Sequence, residues 1–581
     1  MAARQQIPYG IVDFKRIRDE GYYYVDKTAY IRKMEARDSF VFFVRPRRMG
    51  KSLFVDTLRC YYDVNEKADF SRLFGDLDIG LNPTENANRY LVLTLDFSQV
   101  EFMAGETLEE KFSRYLASRM AGFVEKYRAF LPGLPAAFPM RGGADMFEAV
   151  VSCAGRETPI YLILDEYDNF TNTLLRGGGS EPYRAVTHGT GFYRSWFKAF
   201  KASCARIFMT GVSPVTLDDL TSGFNIAKNL SQHEEFNALL GFSEADCVKM
   251  FSDFKGTGKF TEGDPAAIVR AIKPWYDGYC FAPACVGREC VFNSDMVLYY
   301  LGELVATGHA PENLIDVNIR TDYEKLQLVA DIQHAQARGN VEDVLPLTEE
   351  IATYGGLSFD LVESFPADRL SDVANFRSLF HYYGILSMAG RRKGMTFFMV
   401  PNVCVERQLF AYLREAYRRT RQPDWYVWQR LASEFAYDGA WRPFLERLAA
   451  DFADTTPVCG GIQGEARIQG YMQAEFGHLK FFLMAPEMET ARGFCDFALF
   501  PERVHYGDAA HSYLIELKYA AKDAADAVLD AQCAEAKAQL ARYRADRFVP
   551  ALARGTTLHQ IVFQFKGAAL HRLEQISEEA L

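Results

Sequence analysis

The sequence predicts an α/β protein in which a parallel sheet covered by helices comes first and a smaller α/β domain comes last. Three observations lead to this prediction. An apolar run opens residues 42–58 and passes through a basic turn into a helical pattern. Further apolar runs alternate with helical segments as far as residue 211, which is typical of a parallel sheet covered on both faces. Near the end, the strand-like runs 493–500 and 512–519 precede another helical pattern.

Residues 42–58, FFVRPRRMGKSLFVDTL, have the layout of a phosphate-binding loop. In such a loop a strand aims the turn, and backbone N–H groups at a helix N-terminus hold phosphate oxygens. We expect Lys51, after Gly50, to meet the β- and γ-phosphates of a nucleotide, and Ser52 to hold Mg²⁺. The usual pattern G-x-x-x-x-G-K-[ST] has glycine where Arg45 stands, so this loop is expected to be tighter and more cationic.

Three arginines make the turn basic: Arg45, Arg47 and Arg48. They have two interpretations. They could stabilise phosphate charge, within one chain or across a subunit boundary, or they could belong to a solvated loop. We prefer the phosphate role.

Two later apolar runs complete the predicted nucleotide site. Residues 159–169, PIYLILDEYDN, carry Asp165 as the acid on the Mg²⁺ side and Glu166 as the base that polarises the attacking water. Residues 206–211, RIFMTG, carry Thr210, whose hydroxyl could sense the γ-phosphate. The alternative is a set of buried strands capped by surface acids. The order of the three elements favours nucleotide binding and leaves open whether the nucleotide is hydrolysed or only bound.

Composition limits the function classes. The chain has 581 residues, 49% hydrophobic and 24% charged, and a net charge of −11, which argues against constitutive nucleic-acid binding driven by overall charge. No run approaches the roughly 18 apolar residues of a membrane helix, so no membrane partner is expected. The eleven cysteines form no even framework, and no N-terminal apolar leader is visible. We therefore expect a cytoplasmic protein.

Three cysteines recur every five residues in YCFAPACVGREC: Cys280, Cys285 and Cys290. A structural zinc site needs four ligands with short spacing, and no fourth ligand is obvious nearby. An ordinary loop is the preferred interpretation.

The C-terminal strands carry a second group of chemically active residues. Asp496 lies in the first apolar run, and Glu516 and Lys518 lie in the second. Residues two apart on a strand share a face, so Glu516 and Lys518 are expected to point the same way while Leu517 packs on the other side. Two carboxylates on adjacent strands can bind a divalent cation, and a neighbouring lysine can orient water. The alternative is a half-buried strand with a surface ion pair.

A helical pattern follows these strands and places Gln539 and Tyr543 four residues apart on one face. The order Asp, Glu-x-Lys, then Gln-x-x-x-Tyr resembles the PD-(D/E)XK nuclease superfamily. The resemblance implies a restriction-endonuclease-like α/β domain, catalytic roles for these residues, and an upstream helix acid that also contacts the metal. Either Glu465 or Glu475 could be that acid, and Glu465 fits the spacing better.

The resemblance extends over nearly the whole chain. YYYVDKTAYI, RPRRMGKS, LILDEYDN, FMTGVSPV, LLGFS and WYDGYCF occur in the order found in bacterial AAA-ATPase-like proteins with a C-terminal PD-(D/E)XK nuclease domain. It implies a P-loop NTPase sheet over residues 1–240, a helical lid over 241–310, a helical connecting region over 311–440 and a nuclease-like domain over 441–581. It also implies ATP and Mg²⁺ or Mn²⁺ as cofactors.

The function predicted from these features is ATP-controlled, metal-dependent cleavage of nucleic acid, with DNA preferred over RNA and a possible homo-oligomer. Four arginines after the nuclease strands could follow a nucleic-acid backbone or could form a solvated face: Arg542, Arg544, Arg547 and Arg554. The rival function is a nucleotide-dependent switch whose last domain only binds nucleic acid or a partner.

Overall fold

The computed structural model describes residues 6–100, 106–134, 142–155, 158–168, 192–215, 227–256, 258–261, 263–316, 347, 350–351, 355–366, 369, 372–418, 425–453, 465–490, 493–546 and 548–576. Within this part of the chain, residues up to Pro311 and the segment Phe359–Thr396 form one compact unit. The residues from Phe397 onward form most of a second unit. Among the described helices, none is long and apolar enough to cross a membrane.

The N-terminal unit is built on one parallel sheet of five strands: β1 (Phe40–Val44), β2 (Leu91–Asp96), β3 (Ile160–Asp165), β4 (Arg206–Gly211) and β5 (Lys228–Asn229). Their order across the sheet is β2-β3-β4-β1-β5. The strand β4 therefore lies between β1, which leads into the basic turn, and β3, which ends in acidic residues. This order brings the carboxyl ends of the three predicted strands to one edge, where α/β sheets bind ligands.

In the described part of the chain, helices surround or extend this sheet: α1 (Phe14–Asp19), α2 (Ala29–Arg37), α3 (Lys51–Tyr62), α4 (Phe70–Phe74), α5 (Asp78–Leu81), α6 (Leu108–Tyr127), α7 (Gly143–Cys153), α8 (Phe192–Ser203), α9 (Glu244–Gly256), α10 (Pro265–Tyr276), α11 (Ser294–Thr307) and α12 (Val373–Tyr382). Short 3-10 helices occur at Val64–Glu66, Phe97–Gln99, Arg128–Phe130, Glu234–Phe236 and Pro283–Cys285. The local sequence explains several boundaries. In α6, for example, Thr107 and Glu110 form a reciprocal capping box.

The helices α9, α10 and α11 occupy the region predicted as a helical lid, and this region contacts the basic turn. The Ser294 hydroxyl donates to the Arg48 carbonyl at 3.2 Å. The Gly241 N–H donates to the Met49 carbonyl at 3.0 Å. The turn is thus held by residues from a segment about 200 positions later in the chain.

Three further strands lie between residues 311 and 440, where helices were expected: β6 (Gly356–Phe359), β7 (Ser387–Arg392) and β8 (Met395–Met399). Helical structure is also present there, in α12 and in the helices that open the second unit. These helices are α13 (Val403–Arg418) and α14 (Trp425–Tyr437).

The second unit continues with α15 (Trp441–Ala453), α16 (Glu465–Phe476), β9 (Phe482–Thr490), β10 (Gly493–Pro501), β11 (His511–Ala520), α17 (Asp526–Arg544), α18 (Val549–Leu552), β12 (Thr557–Lys566) and β13 (Ala569–Gln575). The sheet has the order β13-β12-β11-β10-β9. Only β11 and β12 pair in parallel, and the other neighbours are antiparallel.

Helices cover both faces of this second sheet. Tyr513, Ile515 and Leu517 of β11 join a core with apolar residues of α14, α15 and α16. Leu514 of β11 joins the opposite core with apolar residues of α17. Because side chains alternate along a strand, Glu516 and Lys518 lie on the α17 face of the sheet.

Candidate functional site

The basic turn joins β1 to α3 through two residues with left-handed backbone. Gly50 caps α3 with φ of 92°, and Arg48 has φ of 63°. Glycine adopts this conformation without a steric penalty, whereas for arginine it is uncommon. The first helical residue is Lys51, so the turn delivers the Gly-Lys-Ser tripeptide directly to a helix N-terminus, where backbone donors and the helix dipole favour anions.

Lys51 is buried beneath the turn. Its Nζ donates to the carbonyls of Arg45 and Pro46, both at 2.9 Å. Burial lowers the pKa of Lys51, and the negative charges of Glu166 and Asp165 oppose that shift. The predicted phosphate-binding lysine therefore lies at the same edge of the sheet as the predicted acids.

Asp165 is the last residue of β3, and Glu166 follows it directly. Burial raises the pKa of Asp165, and hydrogen bonds from the Glu166 N–H and the Ser52 side chain act in the opposite direction. Glu166 has φ of 51°, a strained backbone for a residue other than glycine, and lines the cavity beside the turn. Burial also raises the pKa of Glu166. The effect of the Ser52 hydroxyl on the pKa of Asp165 places the two groups predicted to share Mg²⁺ near each other.

The position of Arg45 contradicts its predicted phosphate role. Its guanidinium is 1% exposed and lies over the rings of Phe43 and Phe281, at 4.2 and 4.1 Å from their centroids. Its Nη atoms donate to the carbonyls of Val44 at 2.9 Å, Ser231 at 2.7 Å and Phe236 at 2.9 Å. Burial lowers the pKa of Arg45 to about 9. The phosphate role predicted for Arg45 does not fit this position, and Arg45 instead supports the turn from inside the protein.

Replacing Arg45 should reduce stability. Arg45→Met keeps apolar bulk between the rings but leaves the carbonyls of Val44, Ser231 and Phe236 without their donor, at about 1–3 kcal/mol for each unsatisfied group. Arg45→Lys should rescue little, because a single ammonium cannot reproduce the planar fork. Chemical unfolding of both variants measures the loss, with Arg18→Lys, whose guanidinium pairs with Asp76, as the control for an Arg-to-Lys change. Wild-type stability of Arg45→Met would contradict the supporting role.

The other two arginines of the turn differ from Arg45. Arg47 and Arg48 line a cavity of about 270 Å³, together with Gly50, Lys51 and Ser52. They are therefore placed to meet a ligand in this cavity, and their phosphate role stays a prediction.

Thr210 lies near the end of β4 and is 1% exposed. Its hydroxyl donates to the Phe43 carbonyl of the neighbouring strand β1 at 2.6 Å. The structure thus gives this hydroxyl a partner in the sheet, and the phosphate-sensing role predicted for it stays a prediction.

Asp168 is a structural residue that the sequence analysis did not single out. Its carboxylate accepts hydrogen bonds from the N–H groups of Val212 and Ser213, at 3.2 and 3.0 Å, and from the Ser213 hydroxyl at 3.0 Å. A Cβ at Gly211 would lie 2.3 Å from an Asp168 oxygen. The residues after β3 and β4 are therefore locked together. In the sequence, the only indication of this contact is a third acidic residue, Asp168, at the end of DEYD.

The apolar lining of the cavity comes from two segments to which the sequence analysis assigned no chemical role. Pro8, Ile11 and Tyr24 of the N-terminal segment lie on its lining, as do Leu240 and Phe242. A small cavity with apolar walls and a few polar groups is typical of ligand sites. The basic turn supplies one end of this lining, so the cavity fits a ligand with an apolar part and an anionic part.

The second unit brings Asp496, Glu516 and Lys518 together, as predicted. The Lys518 Nζ donates to Glu516 Oε1 at 3.0 Å. The Leu517 N–H donates to Asp496 Oδ2 at 2.8 Å, which fixes the aspartate against β11. Burial and the charge of Asp496 raise the pKa of Glu516 to about 8, although Lys518 opposes this. The arrangement is an acid pair, with Glu516 buried and Asp496 half-buried, beside the Lys518 ammonium.

The Oε2 atom of Glu516 is buried and has no hydrogen-bond partner. An unpartnered buried carboxylate oxygen is costly unless a proton or cation compensates it. Carboxylate oxygens are the ligands that Mg²⁺ and Mn²⁺ prefer. The residues present therefore fit a divalent cation held by Asp496 and Glu516.

Tyr543 and Gln539 lie on α17 beside this acid pair. Burial raises the pKa of Tyr543, and the charges of Glu516 and Asp496 add to that effect, so the ring lies within electrostatic range of both carboxylates. The Gln539 Oε1 atom is buried without a hydrogen-bond partner. The predicted helix therefore faces the predicted strands.

One of the two candidate helix acids, Glu465, interacts electrostatically with Lys518. Partial burial raises the pKa of Glu465, and the charge of Lys518 lowers it. Glu475 lies ten residues further along α16 and is 2% exposed. Among the described residues, no group of three or more His, Cys, Asp or Glu side chains is arranged to hold a metal, so the metal-ligand role of Glu465 stays a prediction.

The four arginines predicted to follow a nucleic-acid backbone differ in exposure. Arg542 and Arg554 are exposed, Arg544 is half-buried, and Arg547 lies outside the described residues. The Arg554 carbonyl accepts a hydrogen bond from Arg503 at 2.6 Å, which adds another arginine to this surface.

Two family models match the chain, each over a range that contains one of the two candidate sites. Residues 8–221 match the family model described as "Predicted AAA-ATPase", and residues 463–575 match that of the PD-(D/E)XK nuclease superfamily. An uncharacterized protein in the vnfD 5' region of Azotobacter chroococcum mcd 1 is 28% identical over 307 residues, 51% of this chain and 52% of that protein. The chain thus matches about half the length of this curated relative.

Among solved structures, a Walker-type ATPase of Pyrococcus abyssi aligns with a TM-score of 0.36 and 13% identity over 66% of this chain and 94% of that one. The two family models cover the two sites separately: the first includes the Gly-Lys-Ser turn and the acidic strand, and the second includes Asp496, Glu516 and Lys518. The chain therefore has the architecture of an AAA-ATPase-like domain followed by a domain of the PD-(D/E)XK nuclease superfamily.

Proposed function

We propose that the protein is an ATP-controlled nuclease that cleaves phosphodiester bonds of nucleic acid, DNA in preference to RNA, at Asp496, Glu516 and Lys518. The observation that supports cleavage most directly is the buried, unpartnered Glu516 Oε2 beside Asp496. In a purely structural ion pair, a buried carboxylate oxygen is normally hydrogen-bonded, so the unpartnered Oε2 supports a ligand-binding role. The match of residues 463–575 to a nuclease superfamily points to the same chemistry.

In the proposed reaction, a divalent cation bound by the two carboxylates would supply charge stabilisation at the phosphate and lower the pKa of a water. The Leu517 N–H donates to Asp496 Oδ2 and so orients the Asp496 carboxylate against β11. Lys518, 3.0 Å from Glu516 Oε1, is positioned to orient the attacking water or to meet the phosphate charge. Tyr543 and Gln539 on α17 border the same site and are proposed to position the substrate.

In the N-terminal unit, Lys51, Ser52, Asp165 and Glu166 are proposed to bind ATP with Mg²⁺. Lys51 would exchange the carbonyls of Arg45 and Pro46 for phosphate oxygens. Ser52 and Asp165 lie near each other and together offer oxygen ligands. The bound nucleotide then sets the state in which the nuclease site works, in a monomer or in a homo-oligomer.

The direct test incubates the full chain with supercoiled plasmid, linear DNA and RNA, with and without ATP and with Mg²⁺ or Mn²⁺. We expect cleavage that requires the cation and responds to ATP, and loss of cleavage in Asp496→Asn. Cleavage that persists unchanged in Asp496→Asn would show a contaminating nuclease and refute the assignment of this site.

Glu166→Gln should keep ATP bound and slow its hydrolysis by about 10²–10⁴-fold, because the amide preserves the shape of the side chain but cannot polarise the attacking water. Phosphate release measures turnover, and calorimetry measures ATP affinity. Glu148→Gln, on the exposed face of α7, is the matched control. Equal turnover in wild type and Glu166→Gln would contradict the role of Glu166. Binding without turnover in the wild type would make the unit an ATP switch.

A second candidate function is a nucleotide-dependent switch whose second unit binds nucleic acid without cutting it. This alternative is favoured by one observation: among the described residues, no group of three or more His, Cys, Asp or Glu side chains is arranged to hold a metal. Metal titration of the full chain separates the two functions. Mn²⁺ binding that is lost in Glu516→Gln supports cleavage, and absence of Mn²⁺ binding supports the switch.

A further inference from the structure

Two of the three loop cysteines face each other across a short antiparallel pair. Tyr279 and Val291 exchange both backbone hydrogen bonds, N–H to carbonyl, at 3.3 and 2.9 Å. They are therefore a hydrogen-bonded pair, and the next pair along the ladder is Cys280 opposite Cys290. Residues opposite each other at such a non-hydrogen-bonded position have Cα atoms about 4.5 Å apart. This separation lies inside the range of about 4.4–6.8 Å that a disulfide spans.

The two thiols also influence each other's titration. Hydrogen bonding between the thiols raises the pKa of Cys280 and lowers that of Cys290. Cys280 is fully buried, whereas Cys290 is half-buried and so reachable from solvent. Cys285 lies in the 3-10 helix Pro283–Cys285, and its Sγ contacts the Glu234 carbonyl at 3.7 Å. The geometry thus pairs two cysteines and leaves the third aside.

We propose that Cys280 and Cys290 are a thiol modification site that a peroxide converts into an intramolecular disulfide. Cys290 attacks the O–O bond of hydrogen peroxide, which gives a sulfenic acid on Cys290 and one water. The Cys280 sulfur then attacks the sulfenic sulfur, so that an S–S bond forms and the S–O bond breaks with release of a second water. Two thiols lose two electrons, and one peroxide is reduced. A dithiol reductant restores both thiols.

Residues close to the cysteine pair in the sequence contact the basic turn. Phe281, next to Cys280, lies 4.1 Å from the Arg45 guanidinium, which holds the turn from below. Three residues after Cys290, Asn293 caps α11, and Ser294 of that helix donates to the Arg48 carbonyl. A disulfide therefore fixes the segment that connects Phe281 to α11. We expect oxidation to alter ATP affinity and to raise the unfolding temperature of the N-terminal unit.

Peptide mapping of the full chain tests the proposal. The protein is treated with hydrogen peroxide, free thiols are alkylated, and trypsin digestion follows without reductant. Arg288 lies between Cys285 and Cys290, so trypsin places Cys290 on a separate peptide from the other two cysteines. We expect a disulfide-linked peptide pair that a dithiol reductant separates. The same linkage must form in Cys285→Ser, which identifies Cys280 as the partner, and must be absent in Cys290→Ser.

The opposing outcomes are distinct. Loss of the linkage in Cys285→Ser would assign the bond to Cys285 and overturn the proposal. Alkylation of both Cys280 and Cys290 after peroxide treatment, or a sulfinic acid on Cys290 with free Cys280, would overturn it as well. ATP affinity and unfolding temperature are then compared between oxidised and reduced wild type, with oxidised Cys290→Ser as the control. Because the mapping needs neither ATP nor nucleic acid, its result is independent of the proposed function.

Discussion

Lys518→Ala is expected to lower the rate of nucleic-acid cleavage by about 10²–10⁴-fold, the range for losing a positioned acid or base group. The Lys518 ammonium, 15% exposed, lies 3.0 Å from Glu516 Oε1 and is the cation adjacent to the acid pair. Its removal takes away the group that orients the attacking water. Affinity for nucleic acid should change little, because one point charge is a small part of a backbone-binding surface.

The carboxylates should behave differently from the lysine. Asp496→Asn and Glu516→Gln each remove a negative oxygen ligand, so both should weaken Mn²⁺ binding as well as cleavage. Titration calorimetry with Mn²⁺ and cleavage assays on the same substrates separate these two effects. Lys518→Ala should retain Mn²⁺ binding.

The chain offers a matched control for this experiment. Glu535 and Lys537 have the same Glu-x-Lys spacing, but they lie on the helix α17, and Lys537 forms an exposed ion pair with Glu574. Lys537→Ala should cleave like the wild type. Wild-type cleavage by Lys518→Ala, or an equal loss in Lys537→Ala, would remove the argument for a catalytic centre on β11.

Lys51→Ala is expected to weaken ATP binding by about 10²-fold or more. The ammonium is buried at the N-terminus of α3, where charge-assisted hydrogen bonds to the phosphate oxygens of ATP would be shielded from water. Loss of such bonds costs about 1.5–3 kcal/mol each, which corresponds to roughly 10–150-fold in affinity. Isothermal calorimetry with ATP and Mg²⁺ measures the change.

The control for Lys51→Ala is Lys249→Ala on α9. Lys249 belongs to the same unit, is 72% exposed and pairs with Asp253 at 2.6 Å. Its removal should leave ATP affinity unchanged. Thermal unfolding of both variants shows whether the fold is kept, because the carbonyls of Arg45 and Pro46 lose their donor in Lys51→Ala. A folded Lys51→Ala protein with wild-type affinity would disprove the assignment of this turn to phosphate.

Local patterns determined much of the architecture. The apolar runs that end in Val44, Asp165 and Gly211 are strands, and the tripeptide Gly50-Lys51-Ser52 lies at a helix start. The period of two placed Glu516 and Lys518 on one face of β11, with Leu517 in the opposite core. These features could be predicted because strand and helix periods, turn residues and short motifs are encoded by residues close together in sequence.

Tertiary structure decided what each polar side chain does. The sequence suggested a phosphate ligand at Arg45, yet its guanidinium is enclosed by Ser231, Phe236 and Phe281, all more than 180 positions away. The strand order places Thr210 against Phe43 and pairs Asp168 with residues 212 and 213. The charge of Lys518 lowers the pKa of Glu465, while the choice between Glu465 and Glu475 as the helix acid stays a prediction.

The physical reason is the same in each case. A motif specifies which atoms a residue carries, whereas burial and strand order specify which atoms it meets. A buried guanidinium must satisfy its donors with whatever carbonyls the fold supplies, because an unsatisfied buried donor is costly. The sequence by itself therefore determined the two α/β folds and the location of both sites. Only the tertiary structure decided that Arg45 supports the turn, that Glu516 keeps an unpartnered buried oxygen, and that Cys280 faces Cys290.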